Sequence, residues 1–271
     1  FNQSLDPWGS GAGVGAGIAA QARISLARAD SRESCAFLLE QASSSGLAGW
    51  IEQALKTSPT RAELEFLLQR SAAGIGVLEA PSVVIAGVPN AGKSTLFNLL
   101  VGESRVLTWH QPGTTRDLIE AQAVFSGFPI SLIDGAGIRQ VEEAVEREGV
   151  RRMQLAIDGA DLVLHLIPSS AGGREYPALE TPSGRTLVFR SRCDENSECL
   201  VEGPGISALT GEGIDSLKNR VLQELYGVEQ IPRGAPCLFL PSHRHWIEQA
   251  LVAIDGGTDP HSKLLNLAEP R

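Results

Sequence analysis

The eight residues Gly87-Val88-Pro89-Asn90-Ala91-Gly92-Lys93-Ser94 constrain this chain more than any other stretch. They follow the apolar run Val83-Val84-Ile85-Ala86 and lead into the amphipathic segment Thr95-Leu96-Phe97-Asn98-Leu99-Leu100. The pattern G-x-x-x-x-G-K-[ST], set between a buried strand and a helix, is that of a phosphate-binding loop. Gly87 and Gly92 let the backbone fold into a cradle of N–H groups, with Asn90, Ala91, Gly92, Lys93, Ser94 and Thr95 around the anion. The helix that starts after Lys93 adds the positive end of its dipole. The Lys93 ammonium can reach the β- and γ-phosphates, and the Ser94 hydroxyl is an oxygen ligand for Mg²⁺. A chance glycine-rich turn is the competing reading, and it does not account for both flanks. The chain is therefore expected to bind a nucleoside triphosphate, or to descend from one that did.

The pattern around the loop is strand–helix alternation. Strand candidates are residues 83–86, 121–125, 130–133, 162–166 and 186–189, with a short one near Ile206. Ser126-Gly127-Phe128-Pro129 reads as a hairpin turn joining the second and third. Helical stretches separate the others, as βαβ crossovers demand. This predicts an α/β fold with a mostly parallel sheet and one antiparallel edge strand. The loop then sits at the carboxyl end of the first strand, where open α/β sheets bind ligands.

The spacing of apolar residues divides the chain into residues 1–17, a Gly-rich flexible leader; 18–79, a helical region; 80–230, the nucleotide-binding domain; and 231–271, a C-terminal segment with one helix near residues 242–254. Thr60-x-x-Glu63 is a candidate capping box for a helix continuing to about Gln69. The opening Phe1 lacks an initiator Met, as expected of a fragment, and no basic region precedes the Gly/Ala-rich stretch, so it does not read as a signal peptide.

Net charge is −9, which argues against direct nucleic-acid binding through a basic face. No apolar run approaches the ~18 residues of a membrane span. The four cysteines have no metal spacing. Cys193 and Cys199 are near enough to bridge in principle, but scattered thiols point to a reducing cytoplasm. His243 and His245 lie at i,i+2, which on a helix does not direct both rings at one metal, so they read as a polar cluster at a helix start.

Two motifs downstream narrow the chemistry. Gly113-Thr114-Thr115-Arg116-Asp117 falls between the first helix and second strand, where Thr114 and Thr115 can sense the γ-phosphate and Thr115 can complete the Mg²⁺ shell. Asp134-Gly135-Ala136-Gly137 follows the third strand; Asp134 can hold Mg²⁺ through water, and the Gly137 N–H can contact the γ-phosphate. Ile206-Ser207-Ala208-Leu209 fits either a loop whose Ser207 and Ala208 backbone receives a base or an ordinary strand-to-helix turn.

PNAGKS at 89–94, GTTRD at 113–117, DGAGIR at 134–139 and the run Val145-Glu146-Arg147-Glu148-Gly149-Val150 together resemble the translation-associated GTPases, and specifically the G domain of the TrmE/MnmE tRNA-modification GTPase family. The resemblance covers about residues 80–226 and implies a P-loop NTPase G domain that binds GTP and GDP with Mg²⁺. It implies further that Asn90 helps bind K⁺ beside the phosphates, covered by the loop at 105–113. K⁺ there neutralises developing charge, the work of an arginine finger elsewhere, typically worth ~10³–10⁵ in rate. The resemblance also implies homodimerisation through the G domains and a water-orienting Glu146. Without it, Glu146 in its acidic run would read as a solvated face. Arg116 and Arg139 read equally as dimer or phosphate contacts and as surface charge.

The chain departs from the family in three places. Ser191-Arg192-Cys193-Asp194 stands where N-K-x-D reads guanine. Asp194 keeps the carboxylate that accepts from guanine N1–H and the N2 amino group; the lost Asn braces the phosphate loop, and Arg192 can stack on the base in place of Lys. Losing one or two such contacts costs roughly 1–3 kcal/mol. Gly135 replaces the threonine of D-T-A-G, which is expected to loosen that loop without removing a ligand. The family's folate-binding domain and terminal C-x-G-K are not in this sequence, which fits a free-standing or shortened relative, or a truncated one. The expected activity is Mg²⁺-dependent, K⁺-stimulated GTP hydrolysis. A degenerate G protein that binds nucleotide with little turnover is the alternative, and a P-loop ATPase or kinase is a third reading that Asp194 argues against.

Overall fold

The computed structural model describes residues 14–103, 119–135, 143–171, 184–195 and 203–268, with the backbone alone at 143–150 and 171. In chain order the elements are helices α1 (Val14–Ser25), α2 (Arg32–Gln41), α3 (Leu47–Thr57) and α4 (Arg61–Gly76), strand β1 (Ser82–Gly87), helix α5 (Lys93–Glu103), strands β2 (Ile119–Phe125) and β3 (Phe128–Asp134), helix α6 (Glu143–Asp158), strands β4 (Leu162–Pro168) and β5 (Thr186–Ser191), and helices α7 (Ile214–Tyr226), α8 (Pro241–Asp255) and α9 (His261–Leu265). They fall into two compact units. One comprises Phe1–Glu79, Ser126–Phe128 and Gln230–Arg271; the other Ala80–Phe125 and Pro129–Glu229.

The second unit is built on a five-stranded sheet in the order β2-β3-β1-β4-β5. β1 runs parallel to β3 and β4, and β4 parallel to β5. Val83 to Ala86 and Leu162 to Leu166 are buried on both faces, which is why these strands read as unbroken apolar runs rather than alternating ones. On one face Ile157, Ala160 and the partly buried Met153 cover Val84, Ala86 and Val163. β2 and β3 form the antiparallel pair. Ser126 (φ 46°) and Gly127 (φ 94°) both have the positive φ that a tight hairpin turn of matching twist needs.

The strand expected near Ile206 is a single parallel bridge, Arg190 to Gly205. Pro204 has no N–H to donate, and Gly203 turns the chain at φ 128°, so no ladder extends from it.

The first unit is helical. α1 packs on α2 and α3, and α4 on α8. Ile18, Phe37, Leu38, Ile51, Leu64 and Phe239 are among its fully buried side chains. α1 begins at Val14, inside the stretch expected to be a loose leader; Gly15 is buried there, and a Cβ on it would come within 2.7 Å of the Ala48 carbonyl of α3. Glycine at this point serves a close helix–helix approach rather than flexibility. The capping box at α4 forms as expected: Thr60 Oγ1 accepts from Glu63 N at 3.3 Å, and Glu63 Oε2 from Thr60 N at 2.8 Å. His243 is not part of an exposed polar cluster. It is fully buried, its Nε2 lies 2.7 Å from Gln21 Oε1, its ring stands edge-on to Phe239, and burial pushes its pKa down to about 3. His245, by contrast, is exposed beside Trp246.

Gly74 of α4 offers a direct test of this packing. A Cβ there would lie 2.1 Å from the Leu238 carbonyl oxygen and 2.6 Å from Cys237 Sγ. Alanine would add helix propensity of up to ~1 kcal/mol, but backbone must move to admit it. Gly74→Ala is expected to destabilise the helical unit by a net ~1–3 kcal/mol, the usual cost of overpacking. Urea titration followed by emission of Trp50 and Trp246 reads this; an unchanged midpoint would contradict the packing.

Candidate functional site

Parallel pairing places the carboxyl ends of β1, β3, β4 and β5 on one edge of the sheet. Gly87, Asp134, Pro168 and Ser191 end these strands, with Ile85 opposite Asp134, Gly87 opposite Leu166 and Pro168 opposite Ser191. The phosphate-loop motif, the D-x-x-G aspartate and the segment at 191–194 thus share one rim, where open α/β sheets take ligands.

The loop's conformation follows from its sequence. Gly87 has φ 147°, and a Cβ on it would lie 2.4 Å from the Leu166 carbonyl oxygen, so no other residue fits without moving β4. Asn90 is left-handed at φ 61° and Gly92 at φ 84°. Asparagine is among the few non-glycine residues that tolerate this region, so local conformation alone accounts for Asn90. Ala91 N donates to the Val88 carbonyl at 3.2 Å, and Leu96 N to Gly92 at 2.9 Å, opening α5 directly from the loop. Lys93 is 6 % exposed, and its Nζ donates to the Val88 carbonyl at 2.8 Å. The ammonium is thereby held within the loop. Ser94 and Thr95 are exposed in the first turn of α5.

Asp134 is 2 % exposed at the end of β3, and the next residue, Gly135, donates its N–H to the Ile85 carbonyl at 3.1 Å. At Gly135 itself there is no room for a side chain, and the loop that this glycine was expected to loosen lies outside the described residues. A Cβ on Gly135 would lie 2.4 Å from Met153 Cε and 2.6 Å from the Ile85 oxygen. The missing side chain is filled by Met153, a residue whose flexible thioether suits irregular gaps.

Two loops form the other end of the rim. Cys193 N donates to the Ile206 carbonyl at 3.2 Å, and Ile206 N to Arg190 at 2.7 Å, tying the turn that bears Asp194 to the Ser207 loop. Ser207 is buried; its N–H donates to Glu212 O at 2.9 Å, its carbonyl accepts from Gly211 N at 2.9 Å, and its Oγ accepts from Thr210 N at 3.1 Å. Those bonds fix the loop around the half-buried Ala208. Asp194 is exposed.

Sequence reasoning missed how these loops connect. Arg192, expected to stack on a base, sends its Nη1 3.1 Å to the Asn90 carbonyl of the phosphate loop. Ser191, 4 % exposed where the family has its bracing asparagine, has a buried Oγ without a hydrogen-bond partner. The side-chain contact from this strand end to the phosphate loop is made by Arg192. Thr114, Thr115, Arg116, Gly137, Arg139 and Cys199 lie outside the described residues, and of Glu146 only its place in α6 is described. Cys35, Cys193 and Cys237 are free thiols. Among the described residues no group of His, Cys, Asp and Glu is arranged to hold a metal by itself, and no helix is long and apolar enough to cross a membrane.

A phosphate loop leaving the central strand of this sheet, an aspartate ending the adjacent parallel strand and a hydrogen-bonded pair of loops beyond β5 are the arrangement of a P-loop GTPase G domain. Residues 82–186 match the family model of the 50S ribosome-binding GTPases. The chain is 37% identical over 193 residues to the tRNA modification GTPase MnmE of Myxococcus xanthus, covering 70% of this chain and 42% of that protein. It is 43% identical over 140 residues to MnmE of Methylorubrum populi, covering 51% and 31%, and 40% identical over 173 residues to MnmE of Thermus thermophilus, covering 62% and 39%. The chain carries a G domain of the TrmE/MnmE-like GTPase family, and the match spans less than half the length of each of these relatives.

Proposed function

We propose that this chain binds GTP with Mg²⁺ at the carboxyl rim of the sheet and hydrolyses it to GDP and phosphate, stimulated by K⁺ in a homodimer of G domains. The observation that carries the proposal is the buried Lys93, held inside a loop whose left-handed turns open directly into α5. In this reading Lys93 contacts the β- and γ-phosphates, and the N–H groups from Asn90 to Thr95 surround them. Ser94, Thr115 and, through water, Asp134 supply the hard oxygen donors that suit Mg²⁺. Mg²⁺ so held would offset charge on the phosphate oxygens. Thr114 and the Gly137 N–H are assigned to the γ-phosphate. Asp194 reads guanine, with the Ala208 N–H donating to its O6, while Ser207, whose own N–H is held by the Glu212 carbonyl, shapes the loop. The Asn90 side chain takes part in holding K⁺, and Glu146 orients the attacking water. The α6 position of Glu146, downstream of Asp134, is compatible with that role.

The test is phosphate release at saturating GTP in K⁺ and in Na⁺. Replacing K⁺ by Na⁺ is expected to slow turnover by about tenfold or more, a small part of what a missing arginine finger costs. Glu146→Ala should lower it by a similar or larger factor. Equal rates in the two salts would remove Asn90 from the mechanism.

A second reading has its own observation. The unpartnered Ser191 hydroxyl marks a base site that has lost its bracing asparagine, as a nucleotide-dependent binding module with little turnover would tolerate. Tight GTP binding without measurable hydrolysis in K⁺ would favour it over the enzyme. The MnmE relatives are named for tRNA modification; the proposal for this chain is confined to the nucleotide chemistry of the domain it shares with them.

A further inference from the structure

The base-reading turn and the phosphate loop are joined by one side chain, and that side chain is itself held. Arg192 lies at φ 60°, a region that residues with a Cβ rarely adopt. Its carbonyl accepts from Ser169 Oγ at 2.7 Å and from Glu195 N at 3.1 Å, which fixes this turn at the end of β5. From there the stem passes over Gly92, with Cγ 3.7 Å from where a Cβ on that glycine would stand. Nη1 then donates to the carbonyl of Asn90, also left-handed at φ 61°. The other side of the guanidinium is occupied by one acceptor: Glu195 Oε1 takes Nε at 2.8 Å and also takes Nη2.

Resting on the nucleotide-binding reading above, we propose that Glu195 is a positioning residue for the phosphate loop, acting through Arg192. A free arginine side chain samples many rotamers. With Nε and Nη2 fixed on one carboxylate, the plane of the fork is set and Nη1 is left aimed at Asn90. The carboxylate thus turns a mobile cation into a brace, in place of the side-chain brace that Ser191 does not provide. It also offsets the guanidinium charge, so the brace grips the loop without adding net positive charge at the base. The device couples the two ends of the site: whatever disturbs the Asp194 turn loosens the loop that carries Lys93. Arg192 and Glu195 are three residues apart and meet across the left-handed turn at 192.

Release of N-methylanthraniloyl-GDP and hydrogen exchange of the nucleotide-free protein across residues 87–94 test this together. Both side chains are about two-fifths exposed, so the pair is modest in strength and screened by salt. Glu195→Gln is expected to speed release about two- to fivefold at low salt, with the difference shrinking toward unity near ~0.5 M KCl. In an Arg192→Lys background, which has no fork to orient, Glu195→Gln should change release by less than about 1.5-fold. Exchange in the loop should be faster in Glu195→Gln with no nucleotide present. A release factor that is the same in both backgrounds, or exchange unchanged in Glu195→Gln, overturns the proposal. Failure of the parent protein to bind the labelled GDP overturns the functional reading instead, while the exchange result still decides whether Glu195 holds the loop.

Discussion

Lys93→Ala is expected to lower GTP affinity by about 10²–10⁴-fold and to bring phosphate release to background. The estimate follows from the chemistry of the loop: the ammonium supplies two charge-assisted hydrogen bonds to phosphate oxygens, each worth about 1.5–3 kcal/mol. The cost to folding is smaller. Lys93 is 6 % exposed and its ammonium donates to the Val88 carbonyl, and loss of that bond costs ~1 kcal/mol. A far-UV spectrum like that of the parent protein would separate the two effects. Fluorescent-nucleotide titration then reads the affinity. Because the phosphates are common to all nucleoside triphosphates, ATP binding, however weak in the parent, should fall by the same factor. GTP affinity within fivefold of the parent would mean that the loop at 87–94 is not where the phosphates sit.

What the sequence made legible was local. The loop at 87–94, the aspartate at 134 and the strands at residues 83–86 and 162–166 each announce themselves within a few residues. A doubly buried parallel strand is a run of apolar residues, and a phosphate cradle is a fixed spacing of glycines. Structure that depends on distant partners was harder to see. The helix α1 begins in a Gly/Ala-rich stretch because Ile18, Ala19 and Ala22 are buried and Gly15 allows α3 to approach. Tertiary packing overrides propensity there. No pattern near Gly135 shows that Met153, from the following helix, occupies the space where a side chain would stand.

The candidate site divides the same way. Lys93 and Asp134 sit where the spacing of their motifs put them. The link from Arg192 to Asn90 joins residues 102 positions apart, and no spacing encodes it. Arg192 and Glu195 are an i,i+3 pair that would suggest a helix face; the left-handed φ at 192 makes them a clamp instead. Asn90 shows the limit of a motif position. Its backbone conformation is reason enough for asparagine, so its proposed part in K⁺ binding depends on the salt comparison rather than on its presence.

Asp194→Ala separates the base end of the site from the phosphate end. Two charge-assisted bonds from guanine N1–H and the N2 amino group would be lost, each worth about 1.5–3 kcal/mol where water is excluded. Asp194 is exposed in this structure, so water competes for it and the lower part of the range applies. GTP affinity is expected to fall about a hundredfold to several hundredfold, while ATP affinity stays within about twofold, because adenine presents an acceptor at N1 and no amino group at C2. The ratio of the two is therefore the diagnostic quantity. Lys93→Ala should lower both affinities and leave the ratio alone; Asp194→Ala should collapse the ratio and leave the phosphate grip intact. An exposed carboxylate on a turn contributes little to the core, so folding should be unaffected. A parent protein that binds ATP as well as GTP would return the chain to the ATPase or kinase reading. A parent that prefers GTP, with that preference surviving Asp194→Ala, would mean that Asp194 is not the group that reads guanine. Ser207 already spends its own N–H on Glu212, leaving the Ala208 N–H as the donor for guanine O6, and that single neutral bond is too weak to hold a hundredfold preference.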